Sequence, residues 1–130
     1  MAPGTQMAAI REVMTKELVT IEAASSVAAA VTVMGMRGVG AVLVIEEGRV
    51  EGIFTERDLV RALSNDIGAA SQTVGQWMTR NPVTVGPEAS VEEALEIMLN
   101  GHFRHLPVME GERLVGVVSI RDLSRATLRE

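Results

Sequence analysis

The chain contains no cysteine, which removes disulfides, thiolate metal ligands and cysteine nucleophiles together. Aromatic residues make up only 2%, so stacked single-stranded bases would find few platforms. No basic block is present and the formal net charge is −5. That balance argues against a duplex-binding surface, which draws most of its affinity from neutralised phosphates. Long apolar runs are missing as well. The longest are strand-like, such as residues 41–45, far below the roughly 20 residues that span a bilayer. The start, Met1-Ala2-Pro3-Gly4-Thr5, lacks the basic region and apolar stretch of a secretory signal. These absences are compatible with a cytoplasmic location.

What is present is apolar residues at 47% of 130, enough for the core of one compact domain, although half the chain would be marginal alone. The dominant feature is a repeat. Sliding residues 13–59 onto 77–123, a shift of 64, gives 15 identities in 47 positions without a gap. They include Met14-Thr15 with Met78-Thr79, Ser26-Val27 with Ser90-Val91, and Arg57-Asp58-Leu59 with Arg121-Asp122-Leu123. Two copies of one supersecondary unit, each too small to cover its own apolar face, are expected to pack about a pseudo-two-fold axis.

Residues 1–7 read as a loose terminus. A short helical lead-in at 10–14 is echoed at 74–78, and short strands are expected at 18–21 and 83–85. Ser26 opens a helix to about Met36. Ser90, with Glu93 three residues on, forms a capping box opening one to about Asn100. Gly35, Gly38 and Gly101 are expected to stop these helices. Strands at 41–45 and 50–54 follow, then 106–109 and 114–118, each pair joined by a turn, at Glu47-Gly48 and Glu110-Gly111. Both alternations of these strands are apolar, so sheets covered on both faces are expected. A helix follows each hairpin, to about Leu63 and Leu128, and residues 64–73 read as a linker. The fold class is thus mixed α/β, with two repeats of about β-α-β-β-α: repeat 1 at 8–63 and repeat 2 at 74–128.

At the end of each hairpin stands a glycine, a short apolar run, a hydroxyl residue, two spacers and an aspartate. Thr55 and Ser119 occupy helix N-cap positions, with Asp58 and Asp122 near the positive end of the helix dipole. One reading is purely structural, satisfying free N–H groups. The other is a polar ligand held at that end. In the stretch His102-Phe103-Arg104-His105-Leu106-Pro107, two imidazoles and a guanidinium could clamp phosphate oxygens, or form a solvated turn with Phe103 in the core. The matching stretch, Gly38-Val39-Gly40-Ala41, lacks any basic side chain, so the two copies are not equivalent. Arg57 and Arg121 either reach a phosphate or pair with acids such as Glu56. Two imidazoles without cysteine make a poor metal site. The methionines at 7, 14, 34, 36, 78, 98 and 109 read as core filler, and Trp77 as a packing residue between halves or at a subunit contact. Glu88, Glu92, Glu93 and Glu96 read as a solvated helix face.

Taken twice, the order Met-Thr, Val-Thr, Ser-Val, Leu-Pro-Val, Gly-Val-Val-Ser-x-x-Asp-Leu resembles a tandem pair of CBS domains, the Bateman module, over about residues 8–128. With Phe-Thr-Glu-Arg-Asp-Leu at 54–59, it is similar to small stand-alone bacterial CBS-pair proteins. That resemblance implies two clefts, one or both of which bind an adenine nucleotide (AMP, ADP, ATP or NAD). Asp58 and Asp122 would take ribose hydroxyls, with Thr55 and Ser119 facing phosphate and Arg57, Arg121, His102, Arg104 and His105 adding phosphate contacts. Thr20 and Thr84 would lie on the edge that faces adenine. Ile53, Val117, Leu106, Phe103, Pro107, Val39 and Ala41 complete the expected binding residues, and Gly38 and Gly40 either allow close backbone approach or serve as a helix stop and turn.

The resemblance also implies a homodimer, a ligand-sensing role read by an unidentified effector protein, and no requirement for a metal. A non-catalytic interaction module whose motifs are caps only is the competing reading. An enzyme would need a nucleophile–base pair or paired carboxylates, and the sequence has no Gly-x-Ser-x-Gly, Walker loop or metal cluster.

Overall fold

The computed structural model describes residues 8–128. In chain order the elements are α1 (Ile10–Val13), β1 (Thr20–Ile21), α2 (Val27–Arg37), β2 (Ala41–Glu46), β3 (Arg49–Thr55), α3 (Glu56–Asn65), α4 (Val74–Trp77), β4 (Thr79–Arg80), α5 (Val91–Gly101), β5 (His105–Glu110), β6 (Arg113–Ser119) and α6 (Ile120–Leu128). They form two compact units. One is continuous, Leu18–Pro82, and the other joins Met1–Glu17 to Val83–Glu130.

The continuous unit holds a four-stranded sheet in the order β1-β2-β3-β4. β1 runs parallel to β2, and the other neighbours are antiparallel. Residues 41–44 of β2 are all buried, so apolar side chains on both faces are covered, as their unbroken pattern implies. Val42, Val44 and Phe54 pack with Val27, Ala30 and Met34 of α2 and with Val74 and Met78. The second unit repeats this plan with the β5–β6 hairpin, and packs Leu106, Val108 and Val118 against Val91, Ala94 and Met98 of α5, with Leu123 and Ile10.

Each lead-in docks on the hairpin of the other repeat. Met78-Thr79 lies on β3, with Ile53 opposite Thr79. Thr15 bridges to Val117 of β6, its N–H donating to the Val117 carbonyl at 2.8 Å. The exchange is symmetric down to single bonds. Val74 N–H donates to Ser25 O and Ile10 N–H to Ala89 O, both at 2.8 Å. The hairpin glycines follow from it. A Cβ on Gly52 would stand 2.5 Å from Thr79 O, and one on Gly116 2.9 Å from Thr15 O, so a larger residue at either position must push its lead-in aside.

The caps form as their residue types dictate. The Ser26 hydroxyl accepts from Ala29 N–H, and Ser90 and Glu93 complete a capping box. Several boundaries differ from expectation. Residues 83–85 form no strand. Only Val85 makes a bridge, to Val108, because two or three residues beside a hairpin edge give too short a ladder. Gly35 lies inside α2, and Gly38 at φ 65° ends it. Gly101 is the last residue of α5, and His102 takes the left-handed cap at φ 59°. Gly101 is small for another reason: a Cβ there would collide with the Phe103 ring. The second hairpin turn falls at Gly111-Glu112, one residue later than expected. The stretch between the repeats is not an open linker. It holds a 3-10 turn, Ile67–Ser71, that buries Ala69. Met36 is 81% exposed, which excludes it as core filler, whereas Met34, Met78 and Met98 are buried. Met7 and the 1–7 terminus lie outside the described residues.

Candidate functional site

In each unit the end of one helix and the start of another meet at a strand corner. In the continuous unit Ala41 pairs with Thr55, and Glu56 N–H donates to Gly40 O at 3.1 Å. This brings Gly38, Val39, Gly40 and Ala41 beside Thr55, Arg57 and Asp58. In the second unit His105 pairs with Ser119, and Ile120 N–H donates to Arg104 O at 2.8 Å. This brings His102, Phe103, Arg104 and His105 beside Ser119, Arg121 and Asp122. The same bond in both copies fixes the distance between the turn and the capped helix.

Other candidate residues stand further along the same strands. Ile53 is buried in β3, and Leu106 and Pro107 are buried in β5. Val117 pairs with Pro107. Thr20 is exposed at the start of β1, opposite Leu43, and Thr84 is exposed just before the Val85 bridge. Phe103 is half-buried against the second core, leaving His102 and Arg104 exposed on either side of it. Trp77 packs against the core of the continuous unit and donates from Nε1 to Gln72 Oε1 at 2.7 Å. Glu88, Glu92, Glu93 and Glu96 are all exposed.

The two aspartates have different surroundings. Both close a reciprocal cap. Thr55 N–H donates to Asp58 Oδ2 at 2.9 Å, and Asp58 N–H to Thr55 Oγ1 at 3.2 Å. Ser119 N–H donates to Asp122 Oδ2 at 2.9 Å, and Asp122 N–H to Ser119 Oγ at 3.1 Å. Asp58 is 4% exposed, and its Oδ1 accepts from Thr79 Oγ1 at 3.1 Å and from Arg61 Nη2 at 3.3 Å. Asp122 is half-buried, and its Oδ1 accepts no hydrogen bond among the described residues. The sequence reading missed Arg61 and Thr79. Thr79 carried a signal, its identity with Thr15 across the repeat; Arg61 carried none, since only its carboxylate partner belongs to the motif.

Among the described residues no group of three His, Asp or Glu side chains could hold a metal ion. No helix among them is long and apolar enough to cross a membrane.

The family described as CBS domain matches residues 10–65 and 74–129. A 17.7 kDa protein of Acidianus ambivalens is 39% identical over 122 residues, covering 92% of this chain and 73% of that protein. The solved structure of the CBS-domain containing protein ATU1752 from Agrobacterium tumefaciens superposes with a TM-score of 0.90 at 33% identity. It covers 98% of both chains. The CBS domain pair of protein MJ0100, solved in complex with 5′-methylthioadenosine and S-adenosyl-L-methionine, superposes with a TM-score of 0.87 at 23% identity. There 95% of this chain and 98% of that one are covered.

Proposed function

This chain belongs to the CBS-domain family and carries two copies of the domain, and we propose that it is a regulatory module that binds an adenosyl ligand. The observation that carries the reading is the Ser119–Asp122 corner. The Asp122 carboxylate has one oxygen in the cap and the other without a partner among the described residues. A carboxylate is acceptor-only and suits a sugar diol, which offers two O–H donors side by side. Arg104, exposed on the adjoining turn, supplies a guanidinium for phosphate oxygens, and α6 adds the positive end of its dipole. Family membership and the adenosyl complex of MJ0100 support that ligand class. AMP, ADP, ATP and NAD all present the required ribose. The matching first-repeat corner has Gly40 where Arg104 stands, so a phosphate-bearing ligand finds its cation in the second unit.

A bound ligand changes the output only by favouring one arrangement of the protein over another. In this reading the chain acts as a cytoplasmic homodimer, is not an enzyme, requires no metal and reports to a separate effector protein. Calorimetric titration with AMP, ATP and NAD tests it. Asp122→Ala removes charge-assisted bonds worth about 1.5–3 kcal/mol each, so the dissociation constant of the tightest ligand should rise roughly ten- to a hundredfold. Unchanged affinity would exclude the corner as the site.

A further inference from the structure

Asp58 differs from its repeat partner in what surrounds its second carboxylate oxygen. Thr79 belongs to the docked lead-in, and its hydroxyl occupies Asp58 Oδ1. Arg61 reaches the same oxygen from one turn further along α3 and also donates to the Trp77 carbonyl at 2.6 Å. Its guanidinium lies over the Trp77 ring, 5.5 Å from the centroid, within cation–π range. The indole is held in turn by Gln72. A carboxylate has about four acceptor positions, and the cap, the threonine and the arginine fill those of Asp58. At the matching positions of the second unit stand Thr15, Arg125, Val13 and Ala8. Neither the Thr15 hydroxyl nor Arg125 forms a side-chain hydrogen bond or ion pair among the described residues. With Val13 in place of an indole, Arg125 makes no cation–π contact among the described residues. The difference is therefore built from Trp77 outward rather than from the shared motif.

We infer that Asp58 is a positioning residue that latches the 72–80 segment to α3 and takes no ligand, so that each chain binds one adenosyl molecule, at Asp122. This rests on the ligand class proposed above, but the latch itself makes a prediction without any ligand. In thermal melts of the full chain, Asp58→Asn should lower Tm by about 5–10 °C and Thr79→Val by about 3 °C. Asp122→Asn keeps an acceptor for Ser119 N–H and should stay within about 2 °C of wild type. Asp58→Asn melting within that same margin would overturn the latch.

Titration with AMP and with 5′-methylthioadenosine then reads the stoichiometry. One molecule should bind per chain. Thr79→Val and Arg61→Met should keep the dissociation constant within about twofold, and Asp122→Asn should raise it about tenfold or more. Two equivalents per chain, or a tenfold loss in Thr79→Val, would overturn the single-site assignment. Wild type binding neither probe would sink the proposed function and the site count together, and the melts would then judge the latch alone.

Discussion

The continuous unit and the one that joins both chain ends share a hairpin, a capped helix and an exchanged lead-in, yet they use the same aspartate for different work. In the first, the carboxylate is enclosed by Thr79 and Arg61 and serves as an internal strut. In the second, one oxygen accepts no hydrogen bond among the described residues. The motif Gly-x-x-[Ser/Thr]-x-x-Asp guarantees only the cap. What the acid does beyond that is decided by residues outside the motif, above all the exchange of tryptophan for valine between positions 77 and 13. The sheets differ in the same direction. Four ladder-paired strands stand on one side, against a hairpin with isolated bridges on the other.

The comparison can be broken most forcefully in the cores. Phe54 and Val118 occupy matching positions and are both fully buried. Phe54→Ala should destabilise by about 3–5 kcal/mol and Val118→Ala by about 1–3 kcal/mol, following the volume removed. Denaturant midpoints of the two variants measure this, and equal losses would mean that the units do not respond to packing as their contents differ.

The next contrast is steric. Gly52 faces a backbone oxygen held by a two-residue ladder. Gly116 faces Thr15 O, 2.9 Å from a new Cβ and held by a single bridge. Each new Cβ also meets a methionine sulfur, Met78 Sδ at 2.9 Å for Gly52 and Met14 Sδ at 2.6 Å for Gly116. Gly52→Ala should therefore cost about 2–3 kcal/mol and Gly116→Ala nearer 1 kcal/mol. The smallest effect belongs to the helix ends. Gly38 and His102 match and both are left-handed. Gly38→Ala meets open space, so its cost is conformational alone, about 1 kcal/mol, while His102→Gly relieves about 0.5–1 kcal/mol of backbone strain against whatever the imidazole holds. Melting temperatures of the two variants measure the balance, and a Gly38→Ala cost well above about 1 kcal/mol would show that more than backbone conformation is at stake there.

Much of this was legible in the chain itself. The 64-residue repeat, the caps at Ser26, Thr55, Ser90 and Ser119, and the alternation-free strands all follow from local patterns that the folded chain obeys. The exchange of lead-ins was not legible, because Met-Thr precedes both hairpins and the pattern is identical whichever hairpin receives it. The strand expected at 83–85 failed because so short a ladder depends on its neighbour rather than its own residues. The hydroxyl–aspartate pairs were visible as caps. Their divergence was not, since Arg61 acts through an indole 16 positions away that has no counterpart in the other copy.

The exchanged lead-ins also set an order of events for a chain emerging from the ribosome. Leu18–Pro82 is a single uninterrupted stretch, so its core can close while later residues are still being added. Ile10, fully buried against α5, β5 and β6 at the end, must wait. Synthesis reaches its partners only after the whole intervening unit has been made, at about 5–20 residues per second. Helix α1 is thus made well before the partners it packs against and settles only once they exist.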